Sequence, residues 1–409
     1  RVTSNPLMLS MVCSVFELRG GVDMPTTVAA LYGDAADAIL ARGGAASAEL
    51  RRLMQAVFFE AHVTQRRVIE DGRLDEAALA LELPDALAAI RATVAGRPFA
   101  PYDGPTALGH YVQILDGWHK GKRGSVAKLD ESKAPLPATS PPPKPAAAGS
   151  TYAVTFDDGS SHWFKQAQLQ SSGIDATGFL VREMAGCADE LRAACEQLPP
   201  PMATALRIVR ERVGLDELPL LALLQADPLQ VQSSHLSFQE YFAACAIRDG
   251  VRLSGAPPWQ WPVWWANTVT IGEGMGDEFG RGLLRAAGAE GAELDLKGKL
   301  GGDRRTVLRV LAQVTRAGRV RVLGLGDNAL GDEGALVLAP CLGANAELRS
   351  LDLSWNEIGP DGGVAIARAL QAHPGLSKLS LVGNFRIGDE AKQLLRKVAA
   401  AQESLSIEL

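Results

Sequence analysis

The chain has 409 residues, 47% of them hydrophobic, which is enough for about two to four domains with substantial buried cores. A formal net charge of −6 argues against a general nucleic-acid-binding protein, although it leaves room for a local basic patch. Five scattered cysteines without a Cys-x-x-Cys pair indicate neither a disulfide framework nor a zinc site, as expected for a protein of the reducing cytoplasm.

Residues 1–100 are rich in alanine and leucine and show helical periodicity. One stretch follows the i, i+3, i+4, i+7, i+8 spacing of a buried helix face, with Leu50, Leu53, Met54, Val57 and Phe58. We therefore expect a helical region here. The chain begins at Arg1 and ends within a repeated pattern, so we also expect it to be a fragment of a longer protein.

Between residues 109 and 169 the pattern becomes that of short β-strands. Residues 111–115 and 152–156 have the apolar pattern of β-strands, and Asp158-Gly159 after the second segment is typical of a hairpin turn. Residues 134–149 are almost entirely Pro, Ala, Ser, Thr and Gly, a composition that favours a flexible loop. The sequence therefore predicts a small β unit inserted into the helical region.

This insert resembles small SH3-like barrels of the Tudor or KOW kind, through its Gly-x-x-Val-x-Ile, Lys-Gly-x-x-Gly-x-Val and Tyr-x-Val-x-Phe-x-Asp-Gly segments. The functional interpretation of this resemblance is an aromatic cage for a modified lysine, formed by residues such as Trp118, Tyr152 or Trp163. The alternative is a docking barrel whose aromatic side chains fill its own core. Alternation places Tyr152, Val154 and Phe156 on one face, as a core requires.

A second role implied for the insert is contact with a phosphate backbone through Lys120, Lys122 and Arg123. Outside the insert, the acidic net charge makes nucleic acid an unexpected partner.

A helical sequence pattern resumes near residue 174. It is followed by an uncharged segment, residues 254–272, that contains four tryptophans. Pro257, Pro258 and Pro262 would break a spanning helix, so we expect no stable membrane insertion. We predict a buried aromatic packing block. The alternative is an interfacial anchor for a membrane or a partner, since tryptophan also favours interfaces.

Three asparagines stand 28 residues apart near the C-terminus, and each closes the same phrase, Leu/Val-x-x-Leu-x-Leu-x-x-Asn: Asn328, Asn356 and Asn384. This period identifies a leucine-rich repeat solenoid. The leucines point inward from a short strand, and the asparagine side chains satisfy backbone groups where each strand bends, so the asparagines are structural.

Apolar pairs four residues apart follow each asparagine and predict a helix in each repeat: Leu338 and Leu342, Ile366 and Leu370, Leu394 and Val398. Leu294-x-Leu296 is interpreted as a degenerate first repeat, and Ile407-x-Leu409 as the start of a further strand. A glycine opens each helix at 331, 359 and 388, and the third unit is slightly distorted there.

Residues between the inward leucines are expected to face the concave surface and to bind a protein ligand: Arg321, Gly324, Asp327, Arg349, Asp352, Ser354, Trp355, Lys378 and Ser380. Trp355 is the best anchor for a partner, because exposed tryptophans are frequent hot spots of binding energy. The alternative is that its ring covers a neighbouring turn.

Residues 235–244 read His-Leu-Ser-Phe-Gln-Glu-Tyr-Phe-Ala-Ala, and residues 4–13 read Ser-Asn-Pro-Leu-Met-Leu-Ser-Met-Val-Cys. The first phrase resembles the end of the winged-helix region in NACHT-type STAND NTPases, the family of the NOD-like receptors. The second resembles the segment that opens the helical domain just after the NACHT nucleotide fold. The two phrases occur in the family's order, and a leucine-rich array follows them, as in many members.

The resemblance implies that Pro6 packs near a nucleotide base and that His235 reaches a phosphate in the closed, inactive state. A docked imidazole beside a phosphate would hold the receptor shut. The alternative is that His235 is an N-terminal helix residue and Pro6 a helix-start proline.

No Gly-x-x-x-x-Gly-Lys-Ser/Thr motif occurs, so we expect no cofactor and no enzymatic activity in this chain alone. ADP or ATP with Mg²⁺ is implied only for a longer parent, whose phosphate loop would lie upstream of Arg1. Self-association is a further expectation for the full-length protein.

These patterns predict a multi-domain fold of α plus α/β class. Its expected parts are a NACHT-associated helical/winged-helix region in two pieces, an SH3-like β-barrel insert, a Trp-rich helical connector and a ribonuclease-inhibitor-like leucine-rich-repeat horseshoe. In chain order the boundaries are 1–104 (first helical piece), 105–170 (insert), 171–250 (second helical piece), 251–291 (connector) and 292–409 (repeats).

The leading hypothesis is that the chain is the regulatory, ligand-sensing part of a NACHT leucine-rich-repeat receptor that acts in signal transduction of innate immunity. This part would control the nucleotide-dependent assembly of the receptor. The alternative is a non-enzymatic scaffold or adaptor, whose barrel binds a modified peptide or nucleic acid and whose repeats bind a protein.

Overall fold

The structure is a computed structural model that describes residues 25–41, 48–99, 102, 104, 106–130, 151–156, 160–174, 176–253, 255–371, 373, 375–402 and 404–409. The chain divides into two compact units, residues 1–71 with 204–409 and residues 72–203. Pro6, the loop 134–149 and the hairpin residues 157–159 lie outside the described residues.

The first unit begins with helices that bury one apolar face each, α1 (Val28–Ala41) and α2 (Ala48–Val63). On α2 the predicted face is confirmed, because its five apolar side chains are all buried. The short strand β1 (Val68–Glu70) follows, and α3 (Asp71–Glu82) starts at the boundary between the units.

The second unit contains a five-stranded antiparallel sheet and flanking helices. Its elements are α4 (Pro84–Ala95), β2 (Tyr111–Ile114), β3 (Arg123–Asp130), β4 (Thr151–Phe156), β5 (Ser161–Lys165), β6 (Leu169–Ser171), α5 (Ala176–Ala185) and α6 (Ala188–Cys195). The strands lie in the order β5-β4-β3-β2-β6. Eight side chains form the core of the sheet: Val112, Ile114, Val126, Tyr152, Val154, Phe156, Phe164 and Leu169.

The chain returns to the first unit through α7 (Pro200–Gly214), β7 (Leu221–Ala226), β8 (Leu229–Ser233) and α8 (Leu236–Arg248). β1, β8 and β7 form an antiparallel sheet in that order. α8 is buried along nearly its whole length, and its Phe242 ring stacks on Phe58 of α2 at 5.4 Å between centroids. This helix is therefore a central packing element of the unit.

The tryptophan segment is a buried packing block, as predicted. Trp259, Trp261 and Trp265 are buried, and the rings of Trp261 and Trp265 stack with centroids 4.1 Å apart. Helices α9 (Ala266–Glu273) and α10 (Asp277–Ala286) follow. Among the helices of the described residues, none has the length and apolar composition needed to cross a membrane.

The C-terminal repeats alternate three-residue parallel strands with helices. They are β9 (Glu293–Asp295), α11 (Arg304–Arg316), β10 (Val322–Gly324), α12 (Gly331–Ala344), β11 (Ser350–Asp352), α13 (Pro360–Gln371), β12 (Lys378–Ser380), α14 (Asp389–Ala401) and β13 (Ser406–Glu408). The inward leucines stand in register across the sheet, with Leu294, Leu323, Leu351, Leu379 and Ile407 side by side. The degenerate first repeat and the last strand are thereby confirmed.

One predicted helix position in the third repeat is wrong. Leu395 of α14 is fully buried, whereas Leu394 is only partly buried. Three positions separate Asn384 from the buried Ile387, against two between Asn356 and Ile358. The helix face nevertheless keeps its 28-residue period, because Leu395 takes the buried position of Ala339 and Ala367, and Val398 that of Leu342 and Leu370.

Candidate functional site

The buried asparagines are structural, and each links two neighbouring repeats. The Asn356 side chain donates to the carbonyl oxygens of Leu325 and Ser354 at 2.8 and 3.1 Å. Its Oδ1 accepts from the backbone N–H of Asn328 at 3.1 Å. Asn384 repeats the arrangement, accepting from the backbone of Asn356 at 3.0 Å. These bonds satisfy backbone groups that have no partner in the strands.

The strand face carries charged side chains, and most of its basic groups are engaged. Lys378 lies 3.3 Å from Glu408, and Arg321 lies 3.4 Å from Glu347. Arg349 turns back on its own loop and donates to the carbonyl oxygen of Ala346 at 2.8 Å. The predicted contacts Arg321, Arg349 and Lys378 are all exposed, and Arg349 is in addition bonded to the backbone.

The acidic side chains of this face are arranged differently. Asp352 is half-buried, and its Oδ1 accepts from the backbone N–H of Ser354 at 2.8 Å. Asp327 and Glu357 are exposed in the loops that follow β10 and β11. Within the described part of the chain, no cation lies within ion-pair distance of Asp327, Asp352 or Glu357. The loops therefore carry uncompensated negative charge.

Trp355 lies at the end of β11 with its indole across the next repeat. A Cβ at Gly383 would lie 2.5 Å from Trp355 Cδ2, so the absence of a side chain at Gly383 makes room for the ring. The indole is nevertheless 53% exposed. Trp355 thus covers a neighbouring turn, as the alternative interpretation has it, while its exposed face is available for contact and partner binding stays a prediction.

Phe385 is the functional candidate that sequence reasoning missed. Its ring packs edge-on against Trp355, with centroids 5.6 Å apart and planes at 80°, and it is 81% exposed. Val382, whose carbonyl oxygen accepts from Trp355 N–H at 2.8 Å, is also exposed. We call Trp355, Val382 and Phe385 the aromatic surface. The longer spacing from Asn384 to Ile387 is the sequence signal that could have drawn attention to Phe385.

His235 forms the N-cap of α8. Its Nδ1 accepts a hydrogen bond from the backbone N–H of Ser237 at 3.2 Å. Burial, and then the positive charge of Arg67, lower the pKa of His235, which favours the neutral imidazole that accepts this bond. The alternative interpretation as an N-terminal helix residue therefore describes its observed role, and phosphate contact stays a prediction.

The three aromatic residues predicted for a cage in the insert have different environments. Tyr152 is 1% exposed and belongs to the core of the sheet, so its ring fills the core, as the alternative interpretation has it. Trp163 on β5 is 54% exposed, and Trp118 in the turn between β2 and β3 is fully exposed. Tyr152 is therefore corrected to a core residue, and only the two tryptophans are accessible.

The basic residues of the insert are partly used within the second unit. Arg123 donates to the carbonyl oxygen of Arg97 at 2.7 Å and lies 4.6 Å from the Phe99 ring centroid. The Lys122 ammonium lies 5.2 Å from the centroid of Phe156. Lys120 is exposed. The geometry thus does not present the three charges as one free patch.

Comparisons with known proteins agree with the repeat assignment. Residues 320–339 and 344–367 match the family described as Leucine Rich repeat. No curated protein matches the chain. Among solved structures, the chain is similar to Leiomodin-1 Actin-Binding Site 2 (ABS2), with 23% identity over 29% of this chain and 68% of that chain and a TM-score of 0.27. The C-terminal part of the chain contains leucine-rich repeats, and such repeats suggest a protein-binding role.

Proposed function

We propose that this chain is the regulatory and ligand-sensing part of a longer, cytoplasmic NACHT leucine-rich-repeat receptor. In this proposal the repeats bind a protein ligand, and the helical region controls nucleotide-dependent assembly of the parent protein. The chain itself catalyses nothing, because the phosphate loop and Mg²⁺ site belong to the parent.

The observation that carries the proposal is the position of His235. The histidine phrase begins α8, and α8 follows directly on the antiparallel sheet of β1, β8 and β7. A side chain at a helix N-terminus stands beside backbone N–H groups that attract anions, so a phosphate held by the parent could lie next to the imidazole. The order of the two phrases before a repeat array supports the same assignment.

Ligand binding and nucleotide release are coupled in this proposal. A protein on the repeats favours an open arrangement, which separates His235 from the phosphate and exposes surfaces for self-association. By linkage, a nucleotide that favours the closed arrangement weakens ligand binding to the same degree.

The test is ADP binding by a chain extended upstream to include the nucleotide fold. His235→Ala removes both the imidazole and its capping bond to α8. His235→Ser keeps a side-chain oxygen that can cap the helix, but its side chain is too short to reach a phosphate. We expect both variants to lose ADP faster than the wild type, and only His235→Ala to melt earlier. Unchanged ADP release from His235→Ser would reduce His235 to a cap, and an extended chain without nucleotide would contradict the NACHT assignment.

A second candidate function is a scaffold whose SH3-like insert binds a modified peptide. The exposure of Trp118 and Trp163 on the five-stranded unit favours it. Methylated and unmodified lysine peptides can be compared by fluorescence titration of the chain and of Trp163→Ala. Selective, Trp163-dependent binding of the methylated peptide would support the scaffold, and equal weak binding would leave the insert as a docking unit.

A further inference from the structure

We propose that the aromatic surface of Trp355, Val382 and Phe385 is the docking site for a basic segment of a partner protein. This inference rests on the proposed protein binding by the repeats, and it moves the main contact from the strand face to the loops at the ends of β11 and β12. The partner places an apolar side chain against the aromatic pair and an adjacent arginine or lysine beside Asp327 and Glu357.

The exposed apolar side chains are concentrated in two neighbouring loops. Trp355 and Phe385 touch edge to face, and Val382 lies one strand away from Trp355 through a backbone hydrogen bond of 2.8 Å. An isolated exposed apolar residue needs no explanation, but a contiguous aromatic pair with large free faces is typical of a binding site.

The backbone conformation at Trp355 is a second indication that the tryptophan has a functional role. Its φ is +56°, a left-handed conformation that disfavours a bulky side chain. The equivalent positions after β9, β10 and β12 hold Gly298, Asp327 and Gly383, all with positive φ, so the conformation belongs to the repeat and the bulky ring is what distinguishes Trp355. A tryptophan here is locally unfavourable, and its contact with Gly383 leaves one face open to solvent. Backbone strain of this kind clusters at functional sites.

The negative charge around the aromatic surface favours a partner segment with positive charge. Asp327 lies one strand before Trp355, since its backbone N–H donates to Ser354 at 2.9 Å, and Glu357 lies two residues after Trp355. In the segments 325–330, 353–359 and 381–388 the charged residues are Asp327, Glu357 and Arg386, and Asp352 of β11 adds a third carboxylate. A cationic partner gains from these carboxylates and can also stack its guanidinium on the indole. The same acidity opposes docking of a second copy of this face.

The experiment selects binding peptides from a random library displayed on phage, with the full chain as target. We expect the selected peptides to combine an aromatic or aliphatic residue with neighbouring arginine or lysine. Trp355→Ala and Phe385→Ala should each weaken binding of the corresponding synthetic peptides at least about tenfold. Asp327→Asn with Glu357→Gln should weaken it less and reduce its salt dependence.

Leu336→Ala is the matched control, because Leu336 is 52% exposed on the helical side of the same repeats. Peptides that lose affinity with Lys378→Glu or Asp295→Asn, but not with Trp355→Ala or Phe385→Ala, would overturn this inference and leave protein binding by the repeats standing. Peptides insensitive to every repeat variant would contradict both. A dimer in light scattering that Trp355→Ala dissociates would identify a second copy as the occupant and also overturn it.

Discussion

Asn356 and Asn328 are joined by a hydrogen bond of 3.1 Å, from the backbone N–H of Asn328 to the side-chain oxygen of Asn356 one repeat later. The two residues are 28 positions apart and occupy the same place in the repeat. The side chain that closes one repeat therefore completes the backbone bonding of the one before it, which couples the repeats along the array.

Asn356→Ala should destabilise the repeats by about 3 kcal/mol, because it leaves several buried backbone groups without partners. Asn356 is fully buried and makes four side-chain bonds, two donated and two accepted. Urea unfolding of the whole chain measures the change. Lys397→Ala on an exposed position of α14 is the control and should stay within about 0.5 kcal/mol of wild type. An equally small loss for Asn356→Ala would show that water replaces the asparagine.

His373→Asn should fold with near wild-type stability, whereas His373→Ala should lose about 2 kcal/mol. His373 occupies the position of Asn345 one repeat later, and its Nδ1 accepts from the backbone N–H of Gly375 at 3.2 Å. Asn345 accepts from the backbone of Glu347 in the same way, at 3.1 Å. Thermal melts distinguish the variants, and equal losses for both would contradict the equivalence of the two positions.

Stability should fall as the pH drops below 6.5, in part because His62 resists protonation in the folded chain. Its imidazole is buried between Trp264 and Trp265, and burial lowers its pKa from 6.5 to about 3. The unfolded chain binds the proton first, so the stabilisation is complete above pH 6.5 and is lost progressively as the pH falls towards the folded value.

The measurement is urea unfolding at several pH values between neutrality and about 5, where most carboxylates stay ionised. The double variant His62→Leu, Thr268→Val removes the imidazole and the hydroxyl that bonds to it at 2.9 Å. We expect a shallower pH dependence in this variant. An identical slope would assign the pH dependence to other groups.

Tyr152→Ala and Trp118→Ala should have opposite consequences although both remove an aromatic ring from the second unit. Truncation of the buried Tyr152 should lower the free energy of unfolding by about 3–4 kcal/mol, and truncation of the exposed Trp118 by less than about 0.5 kcal/mol. Amide hydrogen exchange on β4 reports the loss locally. A large loss from Trp118→Ala would mean that its ring packs on the unit in solution.

The repeats could be predicted from sequence because each repeat is a short local pattern of inward leucines and an asparagine that recurs at a fixed period. The burial of the tryptophan block also followed, since its prolines exclude a spanning helix. The pairing of β1 with β8 could not be foreseen, because Val68–Glu70 is only three residues long and its partner lies about 160 residues later.

The candidate site was predictable only in part. Trp355 stood out through its type and position, but Phe385 follows Asn384 at a position that is also exposed at Ala329 and Glu357, so the repeat template does not by itself single it out. His235 carries a recognisable phrase, yet its capping bond to Ser237 is a matter of geometry that residue types alone do not give.

The most direct test of the central claim is the rate of ADP release from the upstream-extended chain, measured with and without a peptide that binds the repeats. The account predicts that bound ADP co-purifies and that a bound peptide accelerates its release, with Trp355→Ala requiring at least about tenfold more peptide for the same acceleration. ADP release that is unaffected by a bound peptide would contradict coupling between the repeats and the nucleotide.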